Sequence, residues 1–123
     1  MKGKPIANST YIVRNSGRDE ELVELLEFRN IIVEQLYLMS QTIVTKTLYD
    51  GVHQSFVLKD DQDENVIGGI CFYEIPQHKC VSIVYFAVAS QYQMQGYGNY
   101  LMTKFKSNIN VIQLQWQRKS TKQ

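Results

Sequence analysis

The run Gln93-Met94-Gln95-Gly96-Tyr97-Gly98 holds the residues whose types and spacing could do recognisable chemistry. The first N–H groups of a helix have no partner inside it, and the helix dipole makes that end partly positive. Glycine lets backbone approach an anion with no Cβ in the way and permits a positive φ. Gly96 and Gly98, on either side of Tyr97, meet that need where a helix begins, and a phosphate or diphosphate is the natural filler. The same three residues also suit a tight loop that only leads into a helix, so the surrounding fold has to decide. A Walker phosphate loop and a dinucleotide fingerprint are excluded, because there is no Gly-Lys-Ser/Thr and no third glycine.

The elements around that loop follow from patterning. Gln54 to Leu58 is a strand closed by the polar turn 59–65, where Asp and Asn bond their own backbone. Val66 to Tyr73, a turn at Pro76 to Lys79, and Cys80 to Val88 follow, both runs apolar on both faces. They predict an antiparallel meander whose central strands are covered on both sides. Ala89 to Gln95 reads as loop and Gly98 to Ile109 as helix. Val111 to Trp116 alternates with period two, which puts Ile112, Leu114 and Trp116 on one face of a strand. Strand, loop, helix, strand is a β-α-β crossover, so the last strand is expected parallel to Cys80–Val88. In such a unit a ligand sits beyond the carboxyl end of the first strand, beside the helix start. That is where the glycine loop falls.

Upstream, residues 1–18 are expected to be poorly organised around one short apolar patch, Tyr11-Ile12-Val13, that could open a sheet. Ser16 to Asp19 offers an N-cap, and Asp19, Glu20 and Glu21 suit a first helical turn. Leu22, Leu25, Leu26, Arg29, Ile32, Val33 and Leu36 predict an amphipathic helix over about 19–39. Ser40 to Tyr49 fits a strand, a loop or a short helix.

The chain has 123 residues, 44% hydrophobic, with 13 basic and 12 acidic residues. One domain fits that length. A nucleic-acid binder would carry a clearer basic excess. No apolar run approaches the roughly 20 residues of a membrane helix, and no signal-peptide core opens the chain, so neither membrane insertion nor secretion is expected. Cys71 and Cys80 are too few for a disulfide framework and have no metal-ligand company, which points to free thiols in a reducing compartment and to no metal.

Several motifs together carry a resemblance. Gln93 to Gly98 resembles the Gln/Arg-x-x-Gly-x-Gly/Ala acetyl-CoA motif of the GNAT superfamily. Val66 to Phe72, Ile83 to Val88 and Gly96 to Met102 resemble the nuclear histone acetyltransferases of the general-control and PCAF type. Phe28, Asn30-Ile31-Ile32, Gln35-Leu36 and Met39 fall in register with that family's early helix, and the likeness runs from about Leu22 to Lys106. It implies an α/β N-acyltransferase fold with a mixed sheet over 19–117, between the N-terminal segment 1–18 and a basic tail 118–123. It also implies transfer of acetyl from acetyl-CoA to a lysine ε-amine, on a histone tail or another lysine-containing peptide. Nuclear residence and coactivator subunits as partners follow from it too. Backbone groups of Phe86, Ala87 and Val88 would pair with the pantetheine arm like an extra strand. Gln93, Met94, Gln95, Gly96, Tyr97, Gly98 and Asn99 would wrap the diphosphate.

Two departures stand against that pattern. The family's base is a glutamate directly before an Ile-Val pair, and Ser82 holds that position here. A hydroxyl is no general base near neutral pH. Glu74 and His78 lie near the preceding turn as possible substitutes, better read as a solvated charge and a turn residue. Tyr85 is expected on the opposite face from Ser82 by strand alternation. The likeness also fades beyond about Lys106, which implies a C-terminally truncated domain lacking the family's later helix and strands, with Trp116 left uncovered on an edge strand. The alternative reading is therefore a catalytically dead acetyl-CoA-binding or complex-assembly fragment.

Overall fold

The computed structural model describes residues 8–15 and 17–121, with side chains as far as Trp116. In chain order the elements are β1 (Asn8–Val13), α1 (Asp19–Gln35), α2 (Gln41–Tyr49), β2 (Gln54–Asp60), β3 (Val66–Ile75), β4 (Cys80–Val88) and α3 (Tyr97–Thr121). The strands form one sheet in the order β1-β2-β3-β4, antiparallel throughout. Helices α1 and α2 cover one face and α3 the other.

The meander predicted from Gln54 to Val88 is present, and short polar turns explain it. Asp60 Oδ1 accepts the backbone N–H of Gln62 at 2.9 Å, which folds the β2–β3 turn. Within the segment 1–18, expected to be poorly organised, the patch around Tyr11 lies in a regular strand, β1, paired along its length with β2. Ser16 lies outside the described residues. Helix α1 instead opens from Arg18, without a side-chain cap bond.

The ambiguous stretch after α1 is a helix. Ser40 caps α2 by accepting the backbone N–H of Ile43, so α1 stops at Gln35 rather than at 39. Its buried stripe is Glu24, Leu25, Phe28, Ile31 and Ile32, a face turned from the expected one, and Leu26 and Leu36 are exposed. The turn is possible because buried Glu24 is partnered. Its carboxylate accepts Lys59 Nζ at 2.9 Å and the Tyr11 hydroxyl. That leaves Phe28 free to lie on the sheet against Gly69, where an added Cβ would stand 3.0 Å from the ring. Burying a side chain of that size stabilises by roughly 1.5–3 kcal/mol.

The last expected strand is absent. From Tyr97 the chain runs as one helix to Thr121, so among the described residues there is no β-α-β crossover and no strand parallel to β4. Two signals outweigh the period-two reading of 111–116. No glycine or proline follows Gly98, so nothing stops the helix. Leu101, Phe105, Ile112 and Trp116 also recur at helical spacing and pack together against the sheet. Leu114, which a strand would have placed beside them, is 55% exposed. Trp116 is not an uncovered edge residue: it packs on that cluster, and its Nε1 donates to Glu74 Oε1 at 3.0 Å.

Candidate functional site

Strand β4 is an edge. Among the described residues it pairs with β3 alone, so its outer backbone groups from Cys80 to Val88 face no described strand. Its carboxyl end is fixed by the Ala89 N–H donating to Ile67 O at 2.8 Å. A 3₁₀ turn at Ser90–Tyr92 then leads into the glycine loop and the start of α3.

The loop is held from outside. Gln93 Nε2 donates to Val88 O at 3.0 Å and to Gln35 Oε1, at the end of α1, at 2.8 Å. Gln95 Nε2 donates to Gln91 O at 3.0 Å. Met94 and Gly96 take positive φ, 65° and 87°, and the Met94 side chain points fully into solvent. Gly96 serves as the N-cap residue: its carbonyl accepts the Tyr100 N–H at 3.1 Å, the first bond of the helix. The N–H groups of Tyr97, Gly98 and Asn99 therefore have no acceptor within the helix, and a glycine cap has no side chain to offer them.

The loop is open at both glycines. A Cβ at Gly96 would meet no atom within 4 Å, and one at Gly98 would only touch the Phe86 ring at 4.0 Å. An anion can approach there without displacing protein. The Tyr97 ring turns the other way, into the core beside Tyr92 with ring centroids 5.6 Å apart. Of the residues expected to hold a cofactor, Tyr97 thus has only its backbone to offer, and Gln93 is already engaged in positioning the loop. Ala87 is buried under α1, while Phe86 stands half-exposed on the α3 face. The structure brings all of 86–88 and 93–99 to one end of the sheet.

Ser82 lies farther back on the same strand. The ladder pairs Tyr73 with Ser82 and Cys71 with Tyr85, but Phe72 with Ile83, so Val84 is an extra residue. This bulge re-aims the strand. Cys71 and Tyr73 share a face of β3, so Ser82 and Tyr85 share one too, the face under α1 and α2. Simple alternation, which put them on opposite faces, fails because it does not count the bulge.

Neither Glu74 nor His78, the two acidic or basic groups near the preceding turn, reaches Ser82. Glu74 points to the α3 face, where its carboxylate accepts Gln54 Nε2 at 2.7 Å as well as Trp116. His78 is exposed in the turn before β4. A different pair, not singled out from the sequence, lies at the start of β2. His53 Nδ1 is 2.7 Å from Asp50 Oδ2, and Asp50 Oδ1 accepts the backbone N–H groups of Val52 and His53 at 2.8 and 2.9 Å. Partial burial works against ionising Asp50, but these backbone bonds and the His53 ring outweigh it and hold the carboxyl below its usual range. The sequence signal was an acidic residue three positions before a histidine, straddling Gly51 at a helix end.

Among the described residues no group of three or more His, Cys, Asp or Glu is placed to hold a metal ion. No helix among them is long and apolar enough to cross a membrane.

A four-stranded antiparallel run, an edge strand with a bulge and a glycine-capped helix at its end define an N-acyltransferase fold. Residues 20–107 match the family model described as the acetyltransferase (GNAT) family, and the chain belongs to that family. It is 32% identical over 100 residues to a histone acetyltransferase GCN5 of Yarrowia lipolytica, covering 81% of this chain and 21% of that protein. A crystal structure of Tetrahymena GCN5 superposes with a TM-score of 0.81 at 30% identity, covering 85% of this chain and 65% of that one. The catalytic domain of the Tetrahymena GCN5 histone acetyltransferase in complex with coenzyme A gives a TM-score of 0.69 at 30% identity, with 87% and 64% covered. The chain thus spans about a fifth of the length of the curated relatives it matches.

Proposed function

We propose that this chain binds acetyl-CoA and passes its acetyl group to a lysine ε-amine, with a histone tail as the acceptor and the nucleus as the place of work. The observation that carries the reading is the uncapped start of α3. Free amides of Tyr97, Gly98 and Asn99 sit at the carboxyl end of an edge strand whose outer backbone is unpaired. A diphosphate fits the amides, because charge-assisted bonds from backbone N–H are among the stronger ones available. A pantetheine arm carries amides of its own, and the outer groups of Phe86, Ala87 and Val88 can pair with them as a strand would. That the similar Tetrahymena domain forms a complex with coenzyme A supports a coenzyme A donor for this chain.

The acetyl group would then lie along β4 toward Ser82. The acceptor lysine arrives protonated, with a reference pKa of about 10.4, and must lose a proton before its nitrogen can attack the thioester carbon. Ser82 can accept and donate a hydrogen bond there but cannot hold the proton. That residue favours a second reading, in which the chain binds acetyl-CoA, or assembles with coactivator subunits, without turning over. One experiment separates the two: incubation with acetyl-CoA and a histone-tail peptide, read by mass spectrometry alongside calorimetric binding of acetyl-CoA. Binding with a time-dependent mass gain on lysine supports transfer. Binding without it supports the second reading, and no binding removes both transfer and acetyl-CoA binding, leaving assembly with coactivator subunits.

A further inference from the structure

Resting on the acetyl-transfer reading, the open question is where the lysine proton goes when Ser82 cannot keep it. The row of the sheet that holds Ser82 also holds an acceptor. Register pairs Ser82 with Tyr73 across β4 and β3, and Phe72 with Gln54 across β3 and β2. His53, the residue before Gln54, therefore comes opposite Tyr73, and their rings meet edge to face with centroids 5.3 Å apart. All three side chains stand on the face of the sheet that α1 and α2 cover. Two strand spacings, about 10 Å, separate His53 from Ser82, with the tyrosine ring between them.

The imidazole is held as a base would be. Its Nδ1 is bonded to the Asp50 carboxylate at 2.7 Å, which fixes the ring and leaves Nε2 as the available nitrogen. Asp50 is itself fixed by two backbone N–H groups. The His53 side chain is 19% exposed, enough to reach water and too little to move freely. An Asp–His pair of this kind, one strand from a tyrosine that faces the vacated base position, is more than a turn needs: the backbone bonds to Asp50 already close the turn.

We propose that His53, oriented by Asp50, is the terminal proton acceptor of acetyl transfer, reached from Ser82 through the Tyr73 hydroxyl and intervening water. The lysine ε-ammonium gives one proton to the Ser82 hydroxyl, which passes its own along the row until Nε2 of His53 is protonated. The freed amine lone pair forms the N–C bond to the acetyl carbon. The C–S bond breaks and its electron pair leaves on the coenzyme A sulfur, which takes the second N–H proton as the amide forms. The imidazolium then releases its proton to solvent, so the net products are acetyl-lysine, free thiol and one proton. Ser82 and Tyr73 serve as relays because a hydroxyl both accepts and donates.

The test compares the full chain with His53→Gln, Tyr73→Phe, Ser82→Glu and the combination of Ser82→Glu with each of the others. Acetyl transfer to a histone-tail peptide is followed by mass spectrometry and acetyl-CoA binding by calorimetry. His53→Gln is expected to slow transfer by about 10²-fold with acetyl-CoA affinity unchanged, the lower end of what a general base supplies. Tyr73→Phe, which keeps the ring against His53, is expected to act in the same direction. Added imidazole should restore part of the rate to His53→Gln and none to Tyr73→Phe. With a carboxylate installed at position 82, loss of His53 should change the rate by less than about threefold, because the proton no longer travels the row. Equal losses from His53→Gln with and without Ser82→Glu would mark a purely structural histidine and overturn the proposal. A wild-type chain that binds acetyl-CoA but does not transfer would overturn the acetyl-transfer reading, and the proposal with it. Failure to bind acetyl-CoA at all would overturn the acetyl-transfer reading itself, a separate result.

Discussion

Replacing Ile112 and Leu114 separately by alanine distinguishes the helical ending of this chain from the strand its alternation suggests. On α3, Ile112 is 8% exposed and packs with Leu101 and Phe105, whereas Leu114 is 55% exposed. Removing a buried isoleucine side chain costs about 2–5 kcal/mol, and the position of Ile112 in the last third of the helix puts it near 2. Removing the exposed Leu114 is expected to cost no more than about 0.5 kcal/mol. For a domain of this size, each kcal/mol moves the melting temperature by roughly 4 °C. Ile112→Ala should therefore melt about 8 °C below wild type and Leu114→Ala within about 2 °C of it. Urea unfolding followed by circular dichroism checks the same difference at constant temperature. Equal losses at both positions would refute the helix, because a strand buries Ile112 and Leu114 on one face.

Other outcomes follow from the packing. Gly69→Ala is expected to destabilise by about 1–3 kcal/mol in urea unfolding, since its methyl would stand 3.0 Å from the Phe28 ring and 3.1 Å from Phe56 O. Lys59→Met should cost about 1–3 kcal/mol, because it strips the cation from buried Glu24 while the Tyr11 bond remains; a loss no larger than that of an exposed lysine contradicts the network. Burial pushes the Cys71 thiol up to about 12, with the Asp50 charge adding to it, whereas Cys80 is exposed. Titration with a thiol reagent at pH 8 should label Cys80 quickly and Cys71 only on unfolding, since the thiolate is the reactive form; rapid labelling of both would contradict the buried setting.

The parts of the fold that were legible in the sequence are those set by local chemistry. Polar turns at 59–65 and 76–79 fixed the meander, and the two glycines around Tyr97 marked the helix start. What escaped depended on contacts distant in sequence. The inward face of α1 turns on Glu24 being partnered by Lys59 from β2, which makes a charged residue a core residue. The bulge at Val84 changes which side chains share a face with Ser82, and no glycine or proline announces it. Residues 111–116 satisfy both periods over so short a span, and the packing of Ile112 and Trp116 on the sheet decides between them. The Asp50–His53 pair gains its meaning only from the register that sets it opposite Tyr73.

Calorimetric titration of acetyl-CoA into the wild-type chain and into Gly98→Asp tests the central claim most directly. The space at Gly98 is open, so the variant is expected to fold, and its carboxylate would occupy and repel the place of the diphosphate. Wild type should bind, and saturation at 100 times Kd should add about 2.7 kcal/mol to its unfolding free energy; Gly98→Asp should show neither heat nor stabilisation. Equal binding by the two proteins would contradict the account and place the donor away from the start of α3.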